Sequence, residues 1–167
     1  LYQITGEPHY LNESKRTMNW INSTLKDPVD GLYFDNIARN GNIEKTKWTY
    51  TQGIMIGAIT KISEVDPNYS LEDAVKLANA SLSYFDSVGY QTGNEKNAFN
   101  AIYFKYLLFL TAKYNNYYFT QRVVDTLNKV TNQTMEELTY TKPDQNLLGY
   151  AGALHLAALV AVPEGKR

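Results

Sequence analysis

Cysteine is absent from the 167 residues. That excludes disulfides, thiolate zinc sites and cysteine nucleophiles together. Histidine is scarce, with only His9 and His155. No His, Asp or Glu spacing suits a set of metal ligands, so no metal and no other cofactor is expected. Charge of one sign is not in excess: 16 Lys+Arg stand against 17 Asp+Glu, a net charge of -1. A dedicated nucleic-acid binder carries a basic stripe, and neither Lys15-Arg16 nor Lys166-Arg167 extends into one. No run of about 18 apolar residues offers a membrane span. No basic segment leads into an apolar stretch in the manner of a signal peptide. No glycine-rich loop follows a strand pattern, so no nucleotide-binding fingerprint is implied.

What is present is apolar and aromatic. Hydrophobic residues make up 44% of the chain and aromatics 13%, with 14 tyrosines, which suits half-buried aromatic positions in a sugar-binding cleft or a helical seam. The length fits one domain over residues 1–167. Residues 71–85 space Leu71, Ala74, Val75, Ala78, Leu82 and Phe85 for one face of a helix. Ser70 and Asp73 approximate a capping box before it, and Gly89 follows its end. Residues 10–26 and 117–131 are amphipathic in the same way. Residues 49–63, 97–113 and 145–161 are apolar on most sides, which predicts helices covered all round by neighbours. No segment shows the alternation of a strand.

Amphipathic and apolar helices therefore alternate, and three junctions repeat. Each joins an apolar helix end to a polar turn and a tyrosine, at Tyr10, Tyr69 and Tyr117. The unit is an αα-hairpin of about 50–60 residues. Leu1 to Thr5 resemble the tail of an apolar helix, and 145–161 has no outer partner after it. Such an array leaves apolar surface at open ends. The expectation is part of a larger ring of hairpins, with a six-helix array carrying its own caps as the alternative.

Three segments carry a family resemblance: Gly31-Leu32-Tyr33-Phe34-Asp35, then Trp48-Thr49-Tyr50-Thr51-Gln52-Gly53, then Ile56-Gly57-Ala58. In this order they resemble glycoside hydrolase family 76, the endo-α-1,6-mannanases. Residues 97–107 are similar to a further inner helix of that family, with Asn100, Ala101 and Lys105 where lysine, glycine and arginine are usual; Thr51 stands where asparagine is usual. The resemblance implies an all-α fold of αα-hairpin repeats, of which this chain is the C-terminal half of a six-hairpin (α/α)6 toroid, and the missing N-terminal half is then a partner. It also implies hydrolysis of α-1,6-linked mannan by two consecutive aspartates on an earlier helix. No Asp-Asp dipeptide occurs here, so no catalytic residue is assigned to this chain.

The chain is then expected to supply part of a glycan cleft. Asp35 is a candidate acceptor for sugar hydroxyls. Trp48, Tyr50 and Phe99 offer aromatic faces to a pyranose, and Gln52 and Asn100 offer amides that both donate and accept. Asn97 is placed to face the cleft beside Asn100. Glu72-Asp73 reads as solvated capping, and Glu136-Glu137 as part of a polar connection before Lys142-Pro143. His9 is expected in a solvated turn and His155 in a core. Five Asn-x-Ser/Thr sequons, at Asn12, Asn22, Asn68, Asn79 and Asn132, allow a secretory route, and the expected location is extracellular or cell surface. The alternatives are a non-catalytic carbohydrate-binding or scaffold protein, and a different toroid enzyme such as an unsaturated-uronide hydrolase or a sugar epimerase. The epimerase would need catalytic histidines.

Overall fold

Helices form where the periodicity places them. The computed structural model describes residues 1–93, 95–138 and 147–161. Among these lie α1 (Tyr2–Thr5), α2 (Pro8–Thr24), β1 (Asn36–Ile37), β2 (Ile43–Glu44), α3 (Thr49–Ser63), α4 (Leu71–Val88), α5 (Lys96–Thr111), α6 (Tyr117–Leu138) and α7 (Leu147–Ala161). The predicted all-α class holds. Tyr10, Tyr69 and Tyr117 each lie within two residues of the start of a helix. The chain divides into two compact units, Leu1–Lys47 and Trp48–Arg167.

In the second unit α3, α5 and α7 pack side by side, with α4 against α3 and α6 against α5 and α7. The apolar helices thus form an inner layer and the amphipathic ones an outer layer. Contacts between α3 and α5 advance together along both: Thr49 meets Asn100, Gly53 meets Tyr103, Gly57 meets Tyr106 and Lys61 lies over Phe109. The two helices therefore run parallel. Glycine permits the close approach. A Cβ on Gly53 would lie 2.6 Å from the Tyr103 Cα, and one on Gly152 would lie 2.2 Å from the Ala98 nitrogen. Beneath, Phe85, Tyr90, Tyr103 and Phe104 form an aromatic core, and the Tyr103 hydroxyl meets Ser81 Oγ at 2.8 Å. Burial raises the pKa of Tyr103 and of Tyr90 well above the usual phenol value.

In the first unit, α2 ends at Thr24 and a tight loop follows. Gly31 adopts φ 75° there, a left-handed conformation that costs other residues strain. Leu32, Tyr33 and Phe34 are buried, and the Tyr33 hydroxyl donates to Asn22 Oδ1 at 2.6 Å. An antiparallel ribbon then pairs Asn36 with Glu44 and Ile37 with Ile43.

Four expectations are corrected. The ribbon is a strand pair where none is predicted; its signal is Asn40-Gly41 between two isoleucines. Glu136-Glu137 belong to the last turn of α6 rather than to a connection. His155 is exposed, because it lies on the outer side of α7 while Gly149, Gly152, Ala153 and Leu156 face inward. That same outer side leaves Leu147 82%, Leu148 54% and Leu154 70% exposed, so α7 is not covered all round. Residues 145–146, Lys142-Pro143 and Lys166-Arg167 lie outside the described residues.

Candidate functional site

At the N-terminal ends of α3 and α5 the structure gathers three of the sequence-selected residues. Phe99 lies with its ring centroid 5.6 Å from Trp48 and 4.8 Å from Tyr50. All three residues are half-buried. Trp48 is the N-cap of α3 in extended backbone, Tyr50 sits in its first turn, and Phe99 sits in the first turn of α5. Edge-to-face and tilted contacts at these separations are favourable for aromatic pairs.

The amides behave differently. Gln52 is 0% exposed, Asn97 0% and Asn100 1%. Gln52 Nε2 donates to the Trp48 carbonyl at 3.3 Å. Asn100 Oδ1 accepts from Thr49 Oγ1 at 2.9 Å, and its Nδ2 donates to the Gln91 carbonyl at 2.7 Å. Asn97 Oδ1 accepts the Gly93 amide at 2.9 Å, and its Nδ2 donates to the Gly149 carbonyl of α7 at 3.3 Å. Burial of an amide costs free energy unless it is hydrogen-bonded, and here the bonds are made within the protein. The helix period alone does not distinguish such a position from one that faces a cleft. Beside these groups Thr92 Oγ1 donates to Glu137.

Asp35 belongs to the other unit. It follows the buried Leu32-Tyr33-Phe34 anchor and enters the ribbon, where its amide donates to the Glu44 carbonyl at 3.1 Å. Its Oδ2 accepts from Asn36 Nδ2 at 2.7 Å. The loop before it is held by Lys47, whose Nζ donates to Asp27 Oδ2 at 2.7 Å and Asp30 Oδ2 at 2.6 Å. The hydrogen bond from Lys47 lowers the Asp27 pKa below its ordinary 3.8, with a further contribution from the Val29 amide. For Lys47, burial pushes the pKa down, and the bonds to Asp27 and Asp30 outweigh it, so the net direction is up from 10.5.

Sequence reasoning missed the Lys47 triad and the role of Thr49. Nothing local marks a bond that spans 17, 20 or 51 residues. Among the described residues no group of three His, Asp or Glu side chains could hold a metal ion. Among them, too, no helix is long and apolar enough to cross a membrane.

The sequence profile of glycosyl hydrolase family 76 matches residues 1–151. No curated protein sequence matches the chain. Among solved structures, a family 76 mannosidase of Bacteroides thetaiotaomicron superposes with a TM-score of 0.66 at 19% identity, over 95% of this chain and 50% of its own. An inactive, doubly aspartate-substituted α-1,6-mannanase of a Salegentibacter species, in complex with α-1,6-mannotetrose, gives a TM-score of 0.64 at 21% identity, over 78% of this chain and 42% of its own. A protein of Listeria innocua gives 0.62 at 26% identity, over 77% and 40%. The chain thus spans half or less of the length of these relatives.

Proposed function

The chain belongs to glycosyl hydrolase family 76, and from that premise we propose that it forms part of the glycan cleft of an extracellular or cell-surface hydrolase acting on α-1,6-linked mannan. One observation carries the reading. Trp48, Tyr50 and Phe99 meet as half-buried aromatic residues at the N-terminal ends of two parallel helices. A pyranose presents an apolar face of C–H groups that stacks on such rings, while its hydroxyls seek polar groups around them. The Salegentibacter mannanase, solved with an α-1,6-linked tetrasaccharide, supports the choice of glycan. Asp35, in the other unit, is proposed separately as an acceptor for a sugar hydroxyl.

Retaining hydrolysis needs one protonated and one ionised carboxyl about 5–5.5 Å apart. The 167 residues contain no adjacent aspartates, and the Salegentibacter variant with two consecutive aspartates replaced is inactive. No acid or nucleophile is assigned within these residues, and the part proposed for them is binding. The lack of an aspartate pair also favours the second reading, a non-catalytic carbohydrate-binding protein.

Calorimetric titration of the gene product carrying this chain with α-1,6-mannotetraose tests the first part. Binding is expected, and Phe99→Ala and Tyr50→Ala weaken it about tenfold each, the loss of roughly 1.4 kcal/mol of stacking. Absence of binding, or unchanged affinity in both folded variants, overturns the site. An assay on α-1,6-mannan then separates the readings, since binding without hydrolysis leaves the second.

A further inference from the structure

The geometry points to Asn97 and Asn100 as positioning residues that set the aromatic surface before a sugar arrives, with Thr49 as the partner through which Asn100 acts. The inference rests on the reading of the Trp48, Tyr50 and Phe99 rings as a glycan-binding surface.

Asparagine is a poor residue for the interior of a helix, and a buried one is costly unless both ends of its amide are used. Both ends are used here, twice, one turn apart. The four bonds reach three separate pieces of the second unit. Asn97 ties Gly93 and the Gly149 carbonyl of α7 to the first turn of α5. Asn100 ties Gln91 and Thr49 of α3 to the start of the next turn. An apolar side chain would fill these positions without specifying a register, whereas a fully satisfied polar set fixes one arrangement.

What is fixed is the surface. Thr49 stands in sequence between Trp48 and Tyr50, and Asn100 stands next to Phe99. The buried bond between Thr49 Oγ1 and Asn100 Oδ1 therefore sets two rings on α3 against the third ring on α5. The glycine contacts let the helices approach closely, and this bond adds a polar constraint on register at the end that carries the rings. Binding to a surface already in place loses less conformational freedom than binding that must order it. The sugar class implied is a pyranose stacked on rings whose spacing the protein sets.

Trp48 supplies a readout of its own. The 167 residues hold two tryptophans, Trp20 and Trp48, so on this chain alone a Trp20→Phe background leaves Trp48 as the emitter. In that background Thr49→Val removes the hydroxyl donor at nearly constant shape, Thr49→Ser keeps it, and Asn100→Ala removes the whole clamp. The expected result is that Thr49→Val melts cooperatively yet leaves Trp48 more open to acrylamide quenching. It also binds α-1,6-mannotetraose about tenfold more weakly, because rings no longer held in place must be ordered when the sugar binds. Thr49→Ser restores both quenching and affinity. Unchanged quenching and affinity in a folded Thr49→Val variant overturn the inference, and so does a failure of Thr49→Ser to restore them. If Asn100→Ala does not fold, the two Thr49 variants decide alone. If the unsubstituted protein binds no mannotetraose while Trp48 quenching still follows the Thr49 hydroxyl, the positioning role stands and the glycan reading falls.

Discussion

Lys47 illustrates what one side chain can hold. Its ammonium joins Asp27 and Asp30 across the loop that carries Leu32, Tyr33 and Phe34. The pH dependence follows from the two directions of shift. Asp27 has a folded pKa below 3.8, so its contribution to stability is present above that value and is lost as pH falls through the depressed pKa. Lys47 has a folded pKa above 10.5, so its contribution is complete below that value and is lost as pH rises through the raised one. Lys47→Met is therefore expected to lower Tm by a constant amount between about pH 5 and about pH 9. The difference from wild type shrinks at both extremes. Thermal melts across that range check it, and a difference that is flat through pH 3 removes Asp27 from the account.

At the scale of the element, helix ends and helix contacts are set by different residues. Ser70 caps α4, its Oγ accepting the Glu72 amide at 3.1 Å. The bond goes to the second residue of the helix, whereas a capping box directs it to the third, here Asp73. Ser70→Ala is expected to cost about 1 kcal/mol in urea denaturation, and Ser70→Asp much less. Gly53 is of another kind. Its helical backbone is open to any residue, and what it lacks is space, because the obstacle is the Tyr103 backbone. Gly53→Ala should destabilise by about 1–3 kcal/mol despite the better helix propensity of alanine. At Gly57 the obstacle is the Tyr106 ring, which can turn aside. Gly57→Ala is thus expected to cost less than Gly53→Ala, and the reverse order would refute the packing explanation.

At the scale of the whole molecule, α7 is the least covered of the inner helices. Its inward residues Gly149, Gly152, Ala153 and Leu156 are buried, while Leu147, Leu148 and Leu154 face outward. Among the described residues, a substitution at Leu154 removes little packing. Leu154→Gln should leave the stability of the chain within about 0.5 kcal/mol of wild type. Leu156→Ala should cost about 2–5 kcal/mol. Equal losses for the two would mean that Leu154 is packed. The chain spans half or less of the solved family members it resembles, so hydrolysis is a property to assay on the gene product as a whole, whereas register, capping and glycine contacts can be measured on this chain.

Much of the architecture was legible because helix periodicity is local. The spacing of Leu71, Ala74, Val75, Ala78, Leu82 and Phe85 marks α4 without reference to any other part of the chain, and the apolar run at 49–63 coincides with α3 (Thr49–Ser63). The order of three segments, Gly31 to Asp35, Trp48 to Gly53 and Ile56 to Ala58, pointed to the family. The same letters did not say which side chains meet solvent. Gln52, Asn97 and Asn100 have the composition of a sugar-binding edge, yet they are buried and bonded within the protein. That outcome depends on the partner of each amide, and the partner of Asn100 lies 51 residues away in sequence. Sequence determined which segments are helical and which faces are apolar, since those follow from neighbours three and four residues apart. Tertiary structure decided which polar groups are clamps and which aromatic rings are left half-open, since hydrogen-bond satisfaction is settled only when distant backbones are brought together.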